Sequence, residues 1–382
     1  VKASDLKGRG GAAFPTGVKW GFLAAAEPKY LVVNGDESEP GTFKDRQLLE
    51  RDPHQLVEGA IITSYAIGAA NAFIYVRGEY PRPARRLQRA VDEAYRGGYL
   101  GKDILGSGFD LDITVHLGAG AYICGEETAL LNSLEGRRGE PRIRPPFPAV
   151  EGLYAKPTIV NNVETISNLP WIVQHGGKAY AAIGPEGSKG TRLFSLSGHV
   201  NRPGNYEIVM GLTWREFIYD IGDGIRDGRN LKAFVPGGAS APWFTEQHLD
   251  DPITFDDSAK AGSMLGSGAA IVMDDRTCTL RAALRIVRFF AHESCGECTP
   301  CREGTSWLER VMSRIEHGVG RPPDLDLLLD VSDNISPGLG WPPVFTTICA
   351  LGPSAVAPIV SIMTHFKDEV ARHVYEGGCP FD

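Results

Sequence analysis

The segment "ESCGECTPCREG" (293–304) places Cys295, Cys298 and Cys301 at C-x2-C-x2-C spacing. Gly296 and Pro300 stand between them, so a short loop can wrap and turn three sulfurs toward one point. A mononuclear zinc site ordinarily takes two cysteines from one such loop and two from elsewhere, whereas a cubane needs different thiolates for different irons. The spacing therefore predicts an iron–sulfur cubane whose fourth ligand is remote. Cys278 lies in "CTLRAAL", an apolar helical face that reads as an inert buried thiol, and Cys379 lies in the terminal "GGCPFD", which reads as a frayed end. Cys349, in "FTTICALGPSAV", closes a Pro/Gly-rich loop ahead of a helix and is the expected fourth ligand.

A second chemical segment is "GRGGAAFPTGVKW" (8–20). It is not the dinucleotide fingerprint in its usual setting, since no strand precedes it and Pro15 interrupts a helix. Its glycines still allow backbone N–H groups to approach a phosphate or a flat ring closely. Next, "YLVVNGDESEPGTFKDR" reads as a buried strand ending in Asn34, Asp36, Glu37 and Glu39. Ligands of open α/β sheets sit beyond such carboxyl ends, where carboxylates accept hydrogen bonds from ribose or ribityl hydroxyls. "GAGAYICGEETALLNSLEG" runs a strand into a glycine turn and a helix opening at Glu126 and Glu127, whose free N–H groups suit a polar ligand edge. "KPTIVNNVETISNLP" puts Asn161 and Asn162 at a helix start, where helix capping and phosphate contact compete.

These segments need a scaffold. From Gly8 to about Gly187, strand-like runs ("KYLVVNGDE", "AFIYVRGEY", "LDITVHLGAG") alternate with helical ones, the pattern of an α/β layer with a largely parallel sheet. From Ser188 to Met273 the order strand, strand, helix, strand, strand predicts a small β-grasp domain. The remainder reads as four helical segments, the last being "GPSAVAPIVSIMTHFKDEVARHV", which pack most simply as a bundle.

The formal charge of -8, without a basic stripe, excludes a nucleic-acid-binding chain. Seven cysteines, three of them crowded together, do not make a secreted disulfide framework and point to a reducing compartment. The opening "VKASDLKGRGG" has no apolar core behind a basic start, so no secretory leader is expected there. The uncharged stretch Gly59 to Val76 is long enough to span a membrane, but its glycines and Asn71 divide it into a helix ending near Ala70 and the strand "AFIYV".

Together "GRGGAAFPTGVKW", "NGDESEPGTFKDR", "GAGAYICGEETALLNSLEGRR", "PPFPAVEGLYAKPTIVNNVET" and "HESCGECTPCREG" resemble the NADH- and FMN-binding flavoprotein subunit (51 kDa or F-type) of respiratory complex I, NADH:quinone oxidoreductase. The resemblance runs from Gly8 to about Val374. It implies a Rossmann-like FMN-binding α/β domain (1–187), a ubiquitin-like β-grasp domain (188–273) and a four-helix domain (274–382) carrying one [4Fe-4S] cluster. It also implies an NADH-side loop from Gly8 to Gly17, including Gly11, with Phe14, Phe22 and Phe147 as surfaces for adenine and Glu39 and Glu127 near the nicotinamide half. FMN would be held by Gly8, Arg9, Gly10, Lys19, Asn34, Asp36, Glu37, Tyr122, Gly125, Glu126, Asn161, Asn162 and Thr165, and the cluster by Cys295, Cys298, Cys301 and Cys349.

A flavin accepts two electrons as hydride and releases them singly, so the implied reaction needs no acid or base from the protein. The implied partners are NADH, the [2Fe-2S] 24 kDa-type subunit and the large iron–sulfur subunit of complex I, in a peripheral arm on the cytoplasmic side of the cell membrane. Two departures stand out: Ala13 where the loop often has another glycine, and a long lead-in, "DNISPGLGWPPVFTTIC", to the fourth cysteine. A diaphorase subunit of an NAD-linked hydrogenase or formate dehydrogenase would use the same chemistry, and a zinc-stabilised binding module would use none of it.

Overall fold

The structure, a computed structural model, describes residues 1–381. The chain packs as two compact units. The first comprises Val1–Ser38, Thr42–Leu193 and Glu207–Met210, and the second comprises Glu39–Gly41, Phe194–Tyr206 and the chain from Gly211 onward.

The first unit is built on a parallel sheet of β1 (Tyr30–Gly35), β2 (Asn71–Val76), β3 (Asp112–Leu117) and β4 (Thr158–Asn162), in the order β3-β2-β1-β4. Leu31, Val32 and Val33 of β1 are fully buried, as a central parallel strand covered on both faces requires. Its helices are α1 (Thr16–Gly21), α2 (Asp45–Arg51), α3 (Pro53–Ile67), α4 (Pro81–Arg96), α5 (Glu127–Leu134), α6 (Val163–Ser167), α7 (Leu169–His175) and α8 (Gly177–Ala181). The Asp52 side chain accepts from Gln55 N to start α3, and Pro53 occupies the first turn, where a missing N–H costs nothing. The helix stops at Ile67 because Gly68 takes φ 75°, three residues short of the predicted end. In α4, Leu87, Ala90, Val91 and Ala94 recur at helical spacing and are buried, while its arginines face outward.

β1 has β2 on one side and β4 on the other, so the sheet reverses its winding between β1 and β4. Such a switch point leaves a crevice at the carboxyl ends of the two strands. Asn34 and Asn162 stand opposite each other in the β1–β4 register at that edge.

The second sheet is mixed, with β5 (Thr191–Gly198), β6 (Gly204–Val209), β7 (Leu231–Val235) and β8 (Ala269–Asp274) in the order β6-β5-β8-β7. β5 and β8 are parallel and β7 and β8 antiparallel, the arrangement of a β-grasp. A short helix, α9 (Phe255–Lys260), is capped by Thr254. The helical region follows with α10 (Thr279–Glu293), α11 (Thr299–Glu316), α12 (Pro323–Ile335), α13 (Leu351–His365) and α14 (Lys367–Tyr375). Four helices were expected and five are present: Phe366, at φ -136° and ψ 29°, breaks the last segment into α13 and α14. Helices α10 to α13 pack in ring order, α10 on α11, α11 on α12, α12 on α13 and α13 on α10. Ala233, Val235, Trp243 and Met273 of the sheet region share one continuous apolar core with these helices. Among the described residues no helix is long and apolar enough to cross a membrane.

Candidate functional site

The glycine-rich loop folds back on itself at the carboxyl edge of the first sheet. Gly8 N donates to Phe14 O at 2.9 Å, and an isolated antiparallel bridge joins Lys7 and Pro15. Pro15 does not interrupt a helix, as the sequence suggested, but caps α1. A Cβ on Gly10 would lie 2.9 Å from Asn162 Cβ, so only glycine lets the loop come down on the end of β4. Gly11 adopts φ 137°, and Ala13, where a further glycine was anticipated, sits at φ 54° in the left-handed region. Gly17 is pressed on Lys2, whose backbone would lie 2.8 Å from an added Cβ.

Several predicted residues meet at this edge. The Asn34 amide donates to Gly125 O at 2.9 Å, and its oxygen accepts from Asp36 N at 3.0 Å, which joins the β1 tip to the Tyr122–Gly125 turn. Asn161 accepts from Trp20 Nε1 at 2.9 Å, an anchor of α1 that the sequence reading did not single out. Asn162 caps α6, its oxygen accepting from Glu164 N at 3.0 Å, so the capping role is the one realised. Thr165 accepts from Arg9 N at 2.8 Å. On the rim, Lys19 Nζ lies 2.9 Å from Glu127 Oε2, and Arg144 lies 3.2 Å from the other oxygen. Phe14 and Phe22 are exposed, with ring centroids 6.2 Å apart. Phe147 is exposed too, and a backbone bond from Ala24 N to Ala149 O ties its segment to that of Phe22.

Three expected ligand contacts are used otherwise. The Arg9 side chain is fully buried, and one terminal nitrogen reaches Tyr180 Oη, Lys189 O and Thr191 O at 2.7–3.1 Å. Glu37 is 5% exposed, and its carboxylate accepts from Asp45 N and Arg46 N at 2.7 and 3.0 Å, capping α2. Glu126 accepts from Thr128 N and Ala129 N at 2.9 Å, so the N–H groups opening α5 are already taken. For the two carboxylates, as for Asn162, the cause is the same: an acidic or amide side chain ahead of a helix finds the helix's own donors first. Glu39 packs within the second unit, where Ser240 N and Oγ donate to Oε1 at 2.7 and 2.6 Å.

Beneath the loop lies an ionic cluster the sequence reading missed. Lys44 Nζ is buried between Asp45 Oδ1 and Glu164 Oε2, 2.7 Å from each, and Asn162 Nδ2 donates to Asp45 Oδ2 at 2.6 Å. Burial works against the Lys44 charge, but Asp45, Glu164 and Glu37 outweigh it and hold the amine above the usual lysine range. Burial raises the Glu37 carboxyl to about 7, with Asp45 adding to the effect, and lowers the Arg192 guanidinium to about 10. The one available signal was "FKDR" following the acidic strand tip, where a cation adjoins several carboxylates in sequence.

The cysteine loop lies between α10 and α11. Gly296 takes φ 81°, Cys298 caps α11 and Cys301 lies in its first turn, with Ser294 Oγ 3.3 Å from Cys301 Sγ. Burial pushes the Cys301 thiol up to about 11, and the neighbouring Cys298 and Cys295 add to the shift, since negative charge on either opposes ionisation of the third. A group of thiolates that repel is suited to a cationic cluster. Cys349 is buried just ahead of α13. The long lead-in leaves α12 and returns to it: Thr346 Oγ1 donates to Asn334 O and Ile335 O at 2.8 and 2.9 Å. Ile335 then touches both cysteine-bearing turns. A Cβ at Gly304 would lie 2.6 Å from its Cδ1, and one at Gly352 would lie 3.0 Å from its Cγ2.

The comparisons with known proteins agree with this geometry. Residues 1–171 match the Nuo51 FMN-binding domain, and residues 281–373 match the NADH-ubiquinone oxidoreductase-F iron–sulfur binding region. The fold and site thus define a chain that joins a flavin-binding α/β layer to an iron–sulfur helical region. The F subunit of NADH-quinone oxidoreductase in Mycobacterium bovis is 55% identical over the whole chain, which covers 85% of that protein. The F subunit of the Streptomyces coelicolor enzyme is 54% identical, with 84% of it covered. A crystal structure of NAD+-reducing [NiFe]-hydrogenase in the H2-reduced state superposes with a TM-score of 0.88 at 35% identity, over 98% of this chain and 61% of that one. The chain belongs to the family of NADH-quinone oxidoreductase F subunits.

Proposed function

We propose that this chain is the NADH-oxidising flavoprotein subunit of a complex I-type NADH:quinone oxidoreductase, binding NADH, FMN and a [4Fe-4S] cluster. The observation that carries the reading is the descent of Gly10 onto Asn162 at the carboxyl edge between β1 and β4, inside the region that matches the FMN-binding domain. When bound, FMN exchanges a two-electron hydride for single electrons and the cluster passes those electrons on.

The chain's own residues supply binding and position. Gly8, Gly10, Gly11 and Gly17 keep the loop low enough for main-chain contact with a flat ring or a phosphate. Asn34, Asp36, Tyr122, Gly125 and Asn161 line the strand-end edge as the polar contacts for FMN, with Asn162 capping α6 beneath them. Lys19 offers a cation at the rim. Arg9, Glu37, Glu126 and Thr165 hold that frame from behind. Phe14, Phe22 and Phe147 offer exposed rings to adenine, and Glu127, held by Lys19 and Arg144, orients the nicotinamide half. Cys295, Cys298, Cys301 and Cys349 are the cluster ligands; the N-termini of α11 and α13 favour the negative charge of a thiolate-ligated cluster. In this reading, 1–187 is the flavin domain, and 188–273 and 274–382 are the β-grasp and cluster domains. The 24 kDa-type [2Fe-2S] subunit and the large iron–sulfur subunit are its partners, in a peripheral arm on the cytoplasmic side of the membrane.

Anaerobic addition of NADH to flavin-replete protein should bleach the flavin absorbance; full FMN occupancy with no bleaching defeats the reading. The hydrogenase diaphorase is the second reading, supported by the fold match at 35% identity, whereas identity of 55% to F subunits favours the first. Identification of the chains that co-purify separates the two.

A further inference from the structure

Outside the cysteine loop, four side chains with metal-binding atoms converge. Cys278, Glu316, His373 and Cys379 bring one donor atom each within 4.8 Å of one another. Cys278 caps the start of α10, Glu316 ends α11, His373 lies on α14, and Cys379 follows it. Cys278, Glu316 and His373 are buried, and Cys379 is half-buried. Cys278 is buried in the apolar core, as its sequence reading had it, whereas Cys379, read as a frayed end, is half-buried beside it.

Three of the four donors are spaced as in a coordination shell. Cys278 Sγ lies 3.2 Å from His373 Nε2 and 3.7 Å from Glu316 Oε2, and the latter two atoms are 3.4 Å apart. Tetrahedral zinc with bonds of about 2.0 Å to nitrogen or oxygen and about 2.3 Å to sulfur has edges of about 3.3–3.8 Å. Nδ1 of His373 lies 2.8 Å from Glu369 O, a carbonyl that can only accept, so Nδ1 carries a proton and the neutral ring presents its lone pair at Nε2. In the neutral ring that lone pair, the Glu316 oxygen and the two sulfurs as thiolates are all electron-pair donors facing one point. A divalent cation satisfies all of them.

The surroundings fit as well. Arg281 Nε bonds the other Glu316 oxygen, Oε1, which orients the carboxylate and offsets one negative charge. Two thiolates, one carboxylate and a neutral imidazole around Zn2+ leave a net charge of about -1, which Arg281 balances. Glu369, whose carbonyl holds the imidazole, is itself fixed through its carboxylate by Lys232 at 2.6 Å and by Thr279 N at 2.7 Å. An open cleft lined in part by Glu316, Cys379, Leu284 and the α10 arginines Arg281, Arg285 and Arg288 reaches the site from solvent.

We propose that Cys278, Glu316, His373 and Cys379 form a structural zinc site that fastens the C-terminal segment to the ends of α10 and α11. Thiolate donors and a four-atom shell select zinc over magnesium or calcium. Binding displaces the two thiol protons and involves no change of oxidation state. The site is independent of the cluster cysteines and of the function proposed above.

The test uses the full-length chain with flavin and cluster bound, purified without a metal-affinity tag. Elemental analysis should find about one zinc per chain beside the iron. X-ray absorption at the zinc edge should show two sulfurs at about 2.3 Å and two lighter donors at about 2.0 Å. Cys379→Ser, in the half-buried tail, and His373→Gln should each lower zinc at least five-fold and leave iron and FMN per chain unchanged. Zinc that stays below about a tenth per chain even after incubation with zinc sulfate overturns the proposal, as it leaves a protonated imidazole as the group bridging Cys278 and Glu316. Zinc that survives Cys379→Ser but is lost in Cys298→Ser also overturns it.

Discussion

Asn162 Nδ2 donates to Asp45 Oδ2 at 2.6 Å while its own oxygen caps α6, so one amide ties the end of β4 to the start of α2 beneath the glycine-rich loop. Asn162→Ala removes both bonds and leaves Asp45 short of a donor. A lost cap together with a lost charge-assisted bond should cost the first unit about 2–3 kcal/mol. Chemical denaturation followed by flavin fluorescence measures it, and a loss under about 0.5 kcal/mol would remove the amide from the framework.

Lys44 stands between two buried carboxylates. Lys44→Met keeps the volume but strands Asp45 and Glu164 without their cation, and breaking a buried pair from one side typically costs about 3–5 kcal/mol. The expected outcome is low expression or a large fall in thermal midpoint. A near-normal melting curve would contradict the burial of this cluster.

Glu37 gives a pH dependence of definite sign. Below about 4.5, its ordinary value, the carboxyl is neutral in folded and unfolded chains alike. Between there and about 7 only the folded chain keeps the proton, so stability falls as pH rises through this window and levels off above it. Glu37→Gln should flatten the slope by a few kcal/mol over the range. Paired unfolding curves at pH 5 and pH 8 compare the two proteins, and equal slopes would exclude Glu37 as the source.

Ala13 carries a left-handed backbone, at φ 54°, where glycine meets no Cβ penalty. Ala13→Gly should therefore stabilise the loop by up to ~1 kcal/mol, with the relief of folded-state strain partly offset by unfolded-state entropy. The same substitution should leave the flavin spectrum unchanged. A fall in thermal midpoint would refute the assignment of strain.

Phe14 and Phe22 form an exposed aromatic pair on the rim. If their rings carry the adenine, Phe14→Ala should raise the KM for NADH about 5–10-fold, the equivalent of one lost aromatic contact of ~1–1.5 kcal/mol. Electron transfer from dithionite to the same protein should not change. An unaltered KM would move the adenine elsewhere.

Much of the scaffold was legible along the chain. The alternation of "YLVV", "AFIYV" and "LDITV" with helical runs pointed to the parallel sheet because buried strands and amphipathic helices have different apolar periods. The extra break at Phe366 was not legible, since "MTHFKDEV" keeps helical spacing on both sides. The inward turns of Glu37 and Glu126 were hidden for a related reason: a carboxylate beside a helix start has the same sequence signature whether it caps the helix or faces a ligand.

Local residue types were enough to settle what kinds of chemistry the chain carries, because three thiols at fixed spacing and a glycine-dense loop act within a few residues of themselves. Only tertiary packing decided which distant atoms share a point: Lys44 between Asp45 and Glu164, Ile335 against both cysteine turns, and Cys278 beside His373 and Cys379. Such meetings are set by how helices and strands bury their apolar faces, a property of the whole core that no single stretch of sequence contains.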